Sequence, residues 1–214
     1  MEKLFFIIIF IFFGLSAFQQ NSIWKDEYTL WRDAALKSPR VVRPHVIFGT
    51  ALLVRGALGR AEKEFLRAQE ISRYDYRANI GLGAIYFKRG LLEEAVKEFQ
   101  TIITELKPDF APAHNNLGVV YIEKGLLDDA VNEFKITIKL APYHPDAYAN
   151  LGLAYKKMGM LKEARDELEM ALRLHPEHRN ARINLDEVIK LLQEKSSSGV
   201  PGTEVYGHPA IKQD

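Results

Sequence analysis

The feature that most constrains this chain is its internal periodicity. Leu82-Gly83-x-x-Tyr86, Leu117-Gly118-x-x-Tyr121 and Leu151-Gly152-x-x-Tyr155 recur at spacings of 35 and 34 residues. Each tyrosine is followed four residues later by a glycine (Gly90, Gly125, Gly159), then by Ala95, Ala130 and Ala164, then by Phe99, Phe134 and Leu168. A proline closes each unit, at Pro108, Pro142 and Pro176. One period upstream, Phe48-Gly49, Leu52, Gly56, Ala61, Phe65 and Ala68 hold the same places, with Arg73 where the proline is expected. Four units follow: residues 42–75, 76–110, 111–144 and 145–178. The second has one extra residue between Phe99 and Pro108, which predicts a longer second helix.

The residue types suit two antiparallel helices per unit. Counting within a unit, positions 4, 7, 8 and 11 recur at helical spacing and define a core-facing stripe. Gly or Ala at positions 8, 20 and 27 lets helix backbones approach closely, while Leu, Phe and Tyr at 7, 11 and 24 fill the remaining volume. Gly at position 15 suits the left-handed residue that ends a helix. Proline at position 32 stops the second helix. Neither helix can bury its stripe alone, so the units are expected to stack and share stability along the array.

This pattern resembles the tetratricopeptide repeat, with its Leu-Gly-x-x-Tyr, Ala-x-x-x-Phe and closing proline. The resemblance covers about two thirds of the chain. It implies an all-α helix-turn-helix repeat solenoid, a right-handed superhelix whose concave groove holds peptides. The departures are small. His45, Asn79, His114 and Tyr148 stand where an aromatic usually leads the motif, and Thr137 stands where alanine is usual.

The flanks read as ends of a stack. Within residues 21–41, Trp31, Ala34 and Pro39 occupy the places of a lone second helix. Residues 179–195 repeat the first-helix spacing through Leu185 and Ile189, but Asp186 replaces the glycine at position 8. A charge there is expected to keep a further unit from packing, making this a solvating cap. Residues 196–214 hold three Ser, three Gly and two Pro, which predicts a flexible tail.

Residues 4–18 read LFFIIIFIFFGLSAF, without a charge. As a helix they would span about 22 Å, against a hydrocarbon core of about 30 Å. Two readings are open, a cleaved signal peptide and an uncleaved anchor extended through Ile23 to an interfacial Trp24. The absence of a clean A-x-A site favours a transmembrane anchor within residues 1–20. Lys3 and the amino terminus favour the N-inside orientation, placing the repeats outside the cytoplasm, in a periplasmic or lumenal space.

Composition excludes several classes. Lys and Arg number 29 against 28 Asp and Glu, so no basic surface points to nucleic acid. Cysteine is absent, which removes disulfides, thiolate metal sites and cysteine nucleophiles. No phosphate-binding loop, nucleophile elbow or H-E-x-x-H helix is present. Gly81-Leu-Gly83 sits inside a helix with no strand before it, so helix packing explains it. His144, His175 and His178 fall in turns between units, without the carboxylates a metal site wants. The expectation is a non-enzyme with no cofactor and no metal.

If positions 4, 7, 8 and 11 face the core, positions 2, 6, 9 and 13 lie about 180° round the first helix. The family resemblance makes that side the groove. It carries Arg43, Ile47, Thr50 and Val54 in the first unit, and Arg77, Gly81, Ala84 and Lys88 in the second. The third and fourth units place Pro112, Asn116, Val119, Glu123, Asp146, Asn150, Leu153 and Lys157 there, and the cap adds Asn180 and Asn184. Arg43, Arg77, Lys88, Asn116, Asn150, Lys157 and Asn184 are the candidate partner-binding residues. Asn116, Asn150 and Asn184 recur once per unit, each with an amide that offers both donor and acceptor to a peptide backbone.

Trp24, Trp31, Lys37-Ser-Pro39 and Arg43-Pro-His45 also resemble the junction at which the last membrane helix of glycosyltransferase-like proteins enters an extracytoplasmic repeat domain. Two functions are therefore expected. The first is a membrane-anchored scaffold binding a protein or peptide in its groove. The second is an accessory or substrate-presenting module of a membrane transferase complex.

Overall fold

The computed structural model describes residues 26–197. Among them are ten α-helices and no strand. The chain divides into two compact units, Met1–Ala141 and Pro142–Asp214.

The first unit holds α1 (Glu27–Lys37), α2 (Val42–Val54), α3 (Leu58–Ile71), α4 (Tyr76–Lys88), α5 (Leu92–Thr101), α6 (Ala111–Lys124) and α7 (Leu127–Leu140). A short π-helical segment, Ile102–Leu106, continues α5. The second unit holds α8 (Pro145–Lys157), α9 (Leu161–Leu174) and α10 (Arg179–Ser197). No helix among the described residues is long and apolar enough to cross a membrane. The anchor expected within residues 1–20, and Trp24, lie outside the described residues. The expected tail does too, except Ser196 and Ser197, which form the last turn of α10.

Small residues make the close helix contacts. Ala61, Ala95, Ala130 and Ala164 at position 20 are fully buried, as are Ala68, Ile102, Thr137 and Ala171 at position 27. Phe65, Phe99, Phe134 and Leu168 at position 24 are at most 2% exposed and fill the interior. Each presses on a position-8 glycine. A Cβ added at Gly83, Gly118 or Gly152 would lie 2.6 Å from the side chain of Phe99, Phe134 or Leu168. Helix exits follow the same economy: Gly56, Gly90, Gly125 and Gly159 have φ between +74° and +77°, a backbone that other residues rarely adopt.

Ends of helices are tied locally or to the preceding hairpin. Thr29 donates its N–H to the Asp26 carboxylate at 2.8 Å, and the Asp26 N–H donates back to Thr29 Oγ1 at 3.3 Å, closing a capping box on α1. At the far ends of α2, α4 and α6, Arg55, Arg89 and Lys124 reach back to Asp26, Glu62 and Glu93 at 3.2, 2.9 and 2.6 Å.

Two features differ from a plain reading of the repeat. The extra residue in the second repeat, residues 76–110, is absorbed as a π turn rather than one more α-helical residue, closed by Lys107 N–H donating to Ile102 O at 2.6 Å. Ile102 there fills a place that Ala68, Thr137 and Ala171 hold in the other units. In α10 the buried residues are Ala181 and Val188, at positions 3 and 10, not Leu185 and Ile189 at positions 7 and 11. In complete repeats Ala78, Ala113 and Ala147, and Ile85, Val120 and Ala154, are buried at those same two positions. The first helix therefore has two contact faces. Positions 3 and 10 form one of them, and it is the one α10 buries. Positions 7 and 8 meet the unit's own second helix, which α10 lacks.

Candidate functional site

Within the first unit, the outer faces of α4 and α6 enclose an apolar pocket of about 240 Å³. Ala84, Phe87 and Lys88 come from α4, Asn116, Val119 and Val120 from α6, and Phe99 lies on α5. Phe99 and Val120 are buried, Ala84, Phe87, Asn116 and Val119 half-buried, and Lys88 exposed. An ammonium and an amide thus stand beside an apolar floor, an arrangement that fixes an apolar side chain and its backbone at once. The groove register brings Lys88 and Asn116 together here, with Ala84 and Val119 of the same face. Gly81, counted on that face, is instead buried, and its backbone lies against the Phe65 ring.

The remaining candidate residues of the first unit behave differently. Arg43 is exposed on α2. Arg77 is also exposed but is held by Asp75, through Nε at 2.8 Å and Nη2 at 2.5 Å. Asp75 also caps α4 by accepting the Arg77 N–H at 3.1 Å. The Arg77 hydrogen bond holds the Asp75 carboxyl below its ordinary value, while Asp75 raises that of Arg77. The Arg77 charge is largely spent on its neighbour. Sequence reasoning counted it as a groove cation because it compared whole units and passed over an Asp-x-Arg pair at the unit boundary.

In the second unit Asn184 is half-buried, accepts from Lys156 Nζ at 2.6 Å and donates to Asn180 O at 2.9 Å. Lys156 also pairs with Glu187 at 2.7 Å, which holds the Glu187 carboxyl below its ordinary value. Asn150 is half-buried and Lys157 exposed. Of the inter-repeat histidines, His178 serves a helix end: it accepts the Ala181 N–H at its Nδ1 at 3.2 Å, and its Nε2 lies 3.0 Å from Asp146. Among the described residues no group of three or more His, Cys, Asp or Glu side chains converges to hold a metal ion.

Phe87, Phe99 and Val120 are the site residues that the groove register missed. Phe87 was legible as an aromatic at a place where the other units have Leu53, Ile122 and Lys156. Phe99 was assigned wholly to the core, and its second role needs the packed structure to be seen.

Family comparison agrees with this geometry. A tetratricopeptide repeat model matches residues 145–178, and a TPR repeat model matches residues 83–125 and 120–159. Residues 83–178 thus match tetratricopeptide repeats. No curated protein matches it by sequence. Among solved structures, the Cut9-Hcn1 hetero-tetramer of the APC/C aligns at TM-score 0.68 and 19% identity, over 74% of this chain and 32% of that one. The chain thus spans about a third of that relative. A thermophilic TPR protein of Thermus thermophilus aligns at 0.67 and 20%, over 83% and 96% of the two chains. Pseudomonas aeruginosa pilF aligns at 0.68 and 16%, over 89% and 86%. At these identities the likeness is one of fold.

Proposed function

We propose that this chain is a repeat scaffold that binds an extended segment of a protein partner across α4 and α6. The observation that carries the reading is the pocket between Ala84, Phe87, Phe99 and Val119, with Lys88 and Asn116 at its edge. An apolar side chain of the partner fills the pocket, the Asn116 amide takes its backbone, and Lys88 selects a neighbouring acidic residue. The apolar contact supplies most of the hold, while the charge sets approach and register. The Cut9-Hcn1 likeness supports the reading only in that the relative stands in an assembly with another protein.

Residues 4–18 anchor the scaffold in a membrane, and the repeats lie outside the cytoplasm. Support comes from the uncharged stretch, the missing cleavage signature and the position of Lys3. The accessory role in a transferase complex rests on the junction residues between Trp24 and His45, and a multi-span partner would favour it.

Capture of partners by the full chain from membranes in mild detergent tests these readings together. Ala84→Trp fills the pocket from a half-buried position, so the helical signal should survive and the captured partner should be lost. Recovery of the same partner at wild-type yield by Ala84→Trp would move the interface elsewhere. A mature amino terminus near Phe18 or Gln19 would overturn the anchor.

A further inference from the structure

The polar clips of the third and fourth repeats and of the cap helix α10 follow one rule. The position-4 side chain bonds the carbonyl of the proline six residues before it: His114 Nε2 lies 2.9 Å from Pro108 O, Tyr148 donates to Pro142 O at 3.0 Å, and Arg182 donates to Pro176 O at 3.1 Å. The first repeat has His45 and Pro39 at these places, but His45 Nε2 is without a hydrogen-bond partner; the second repeat differs in both residue types, with Asn79 at position 4 and Arg73 in place of the proline. Asn79 donates its Nδ2 to Glu98 at 2.7 Å, and that carboxylate fixes the orientation of the amide. Asn79 is only 4% exposed, yet its Oδ1 has no hydrogen-bond partner. An unsatisfied buried acceptor is costly and wants a donor.

Asn79 lies in the wall of a polar cleft of about 470 Å³. Gln69, Asn79 and Glu98 form one part of its wall, and Arg73, Lys97 and Glu105 bring charges to it. Glu105 comes from the π segment, so the third departure of this repeat from its neighbours falls at the same place. Gln69 donates to the same Glu98 oxygen at 3.2 Å. Burial pushes the Glu98 carboxyl above its ordinary value, which marks it as a carboxylate short of positive charge. The cleft shares no lining residue with the groove pocket.

We propose that this cleft is a binding site for a small amino-carboxylate, with the ammonium group taken by Asn79 Oδ1 and Glu98 and the carboxylate by Arg73 and Lys97. Acceptors are concentrated where a buried oxygen is unpaired, and the two cations stand on exposed positions where a carboxylate can keep part of its hydration. A plain amine would leave the cations without a role, and a plain acid would leave Asn79 unsatisfied.

Calorimetric titration of the full chain in detergent with L-lysine, and with cadaverine as the same diamine without its carboxylate, tests the assignment. L-lysine should give a saturable heat, with cadaverine at least about tenfold weaker. Glu98→Gln should weaken L-lysine by at least about tenfold. Asn79→His replaces the unpaired amide oxygen with the ring found at His114, narrows the cleft and should abolish the heat. The exposed double variant Arg73→Gln, Lys97→Gln should bring L-lysine down to the level of cadaverine without loss of helix. No saturable heat with L-lysine, equal affinities for the two probes, or an unchanged affinity in the double variant would each overturn the proposal.

Discussion

The second and third repeats are built on the same frame and finished differently. In both, a phenylalanine of the second helix, Phe99 or Phe134, closes onto a glycine of the first, Gly83 or Gly118, at the same 2.6 Å from an imagined Cβ. In both, a position-4 side chain meets a glutamate 19 residues on, Asn79 with Glu98 and His114 with Glu133, each at 2.7 Å. Beyond that they diverge. His114 spans from Glu133 to the Pro108 carbonyl, whereas Asn79 stops at Glu98 and leaves an acceptor unpaired beside a cleft. The interior contacts cannot vary because any added atom collides there. The clips at the hairpin edge tolerate substitution, and individuality collects where a substitution leaves space rather than strain.

The largest test of the comparison is on the shared frame. Gly83→Val and Gly118→Val should each cost about 3 kcal/mol, because the new side chain must displace a fully packed ring. Gly49→Val should cost less, since a Cβ there would lie 3.0 Å from Phe65 rather than 2.6 Å from its ring. Chemical denaturation of the three variants checks the order. Equal losses at all three sites would mean that ring-to-backbone distance is not what sets the cost.

That frame was legible in the sequence for a physical reason: close approach requires glycine or alanine at fixed places, and a 34-residue period repeats the requirement until it stands out. The groove was legible only as a face. Lys88 and Asn116 could be placed by helical spacing, but the engagement of Arg77 by Asp75, and of Asn184 by Lys156, depends on local capping and side-chain reach. Leu185 and Ile189 carry the first-helix spacing into α10, but spacing alone does not tell which of two contact faces is buried, and the structure buries Ala181 and Val188. The Asn79 cleft left a trace as well. Asn79, Arg73 and the extra residue were each visible as departures, and only the fold shows that they meet.

A smaller effect comes from exchanging the clips. His114→Asn should lose the contact to Pro108 and leave that carbonyl without its partner, costing about 1–2 kcal/mol. Asn79→His should do the reverse, replacing the unpaired amide oxygen with a ring nitrogen toward the chain at Arg73, with a gain of about 1 kcal/mol. Thermal unfolding of both single variants and of the double exchange checks this. Two losses of similar size would show that the second repeat has adapted to its asparagine and that the clips are not interchangeable.

The smallest effect is one of pH, and it separates the repeats through Glu98 alone. Burial is the largest cause acting on this carboxyl and raises it above 4.5, against the lowering hydrogen bonds from Asn79 and Gln69. Just above 4.5 the folded protein therefore retains more of a proton there than the unfolded chain does. Through linkage, the stability from that proton is fully present below the unfolded value and is lost as pH rises through the folded value. Asp75 works in the opposite sense: its carboxyl is lowered from 3.8 by Arg77, so its contribution is present above that value and fades as pH falls through the folded one. Glu98→Gln removes the first dependence and keeps the second. Wild type should thus lose stability relative to Glu98→Gln as pH climbs above 4.5, with the two curves parallel at lower pH, where Glu98 is protonated in both states. Denaturant midpoints measured across that range read the difference directly. A gap between the curves that stays constant with pH would mean that Glu98 titrates alike in the folded and unfolded chain, and that its burial against Asn79 carries no electrostatic cost.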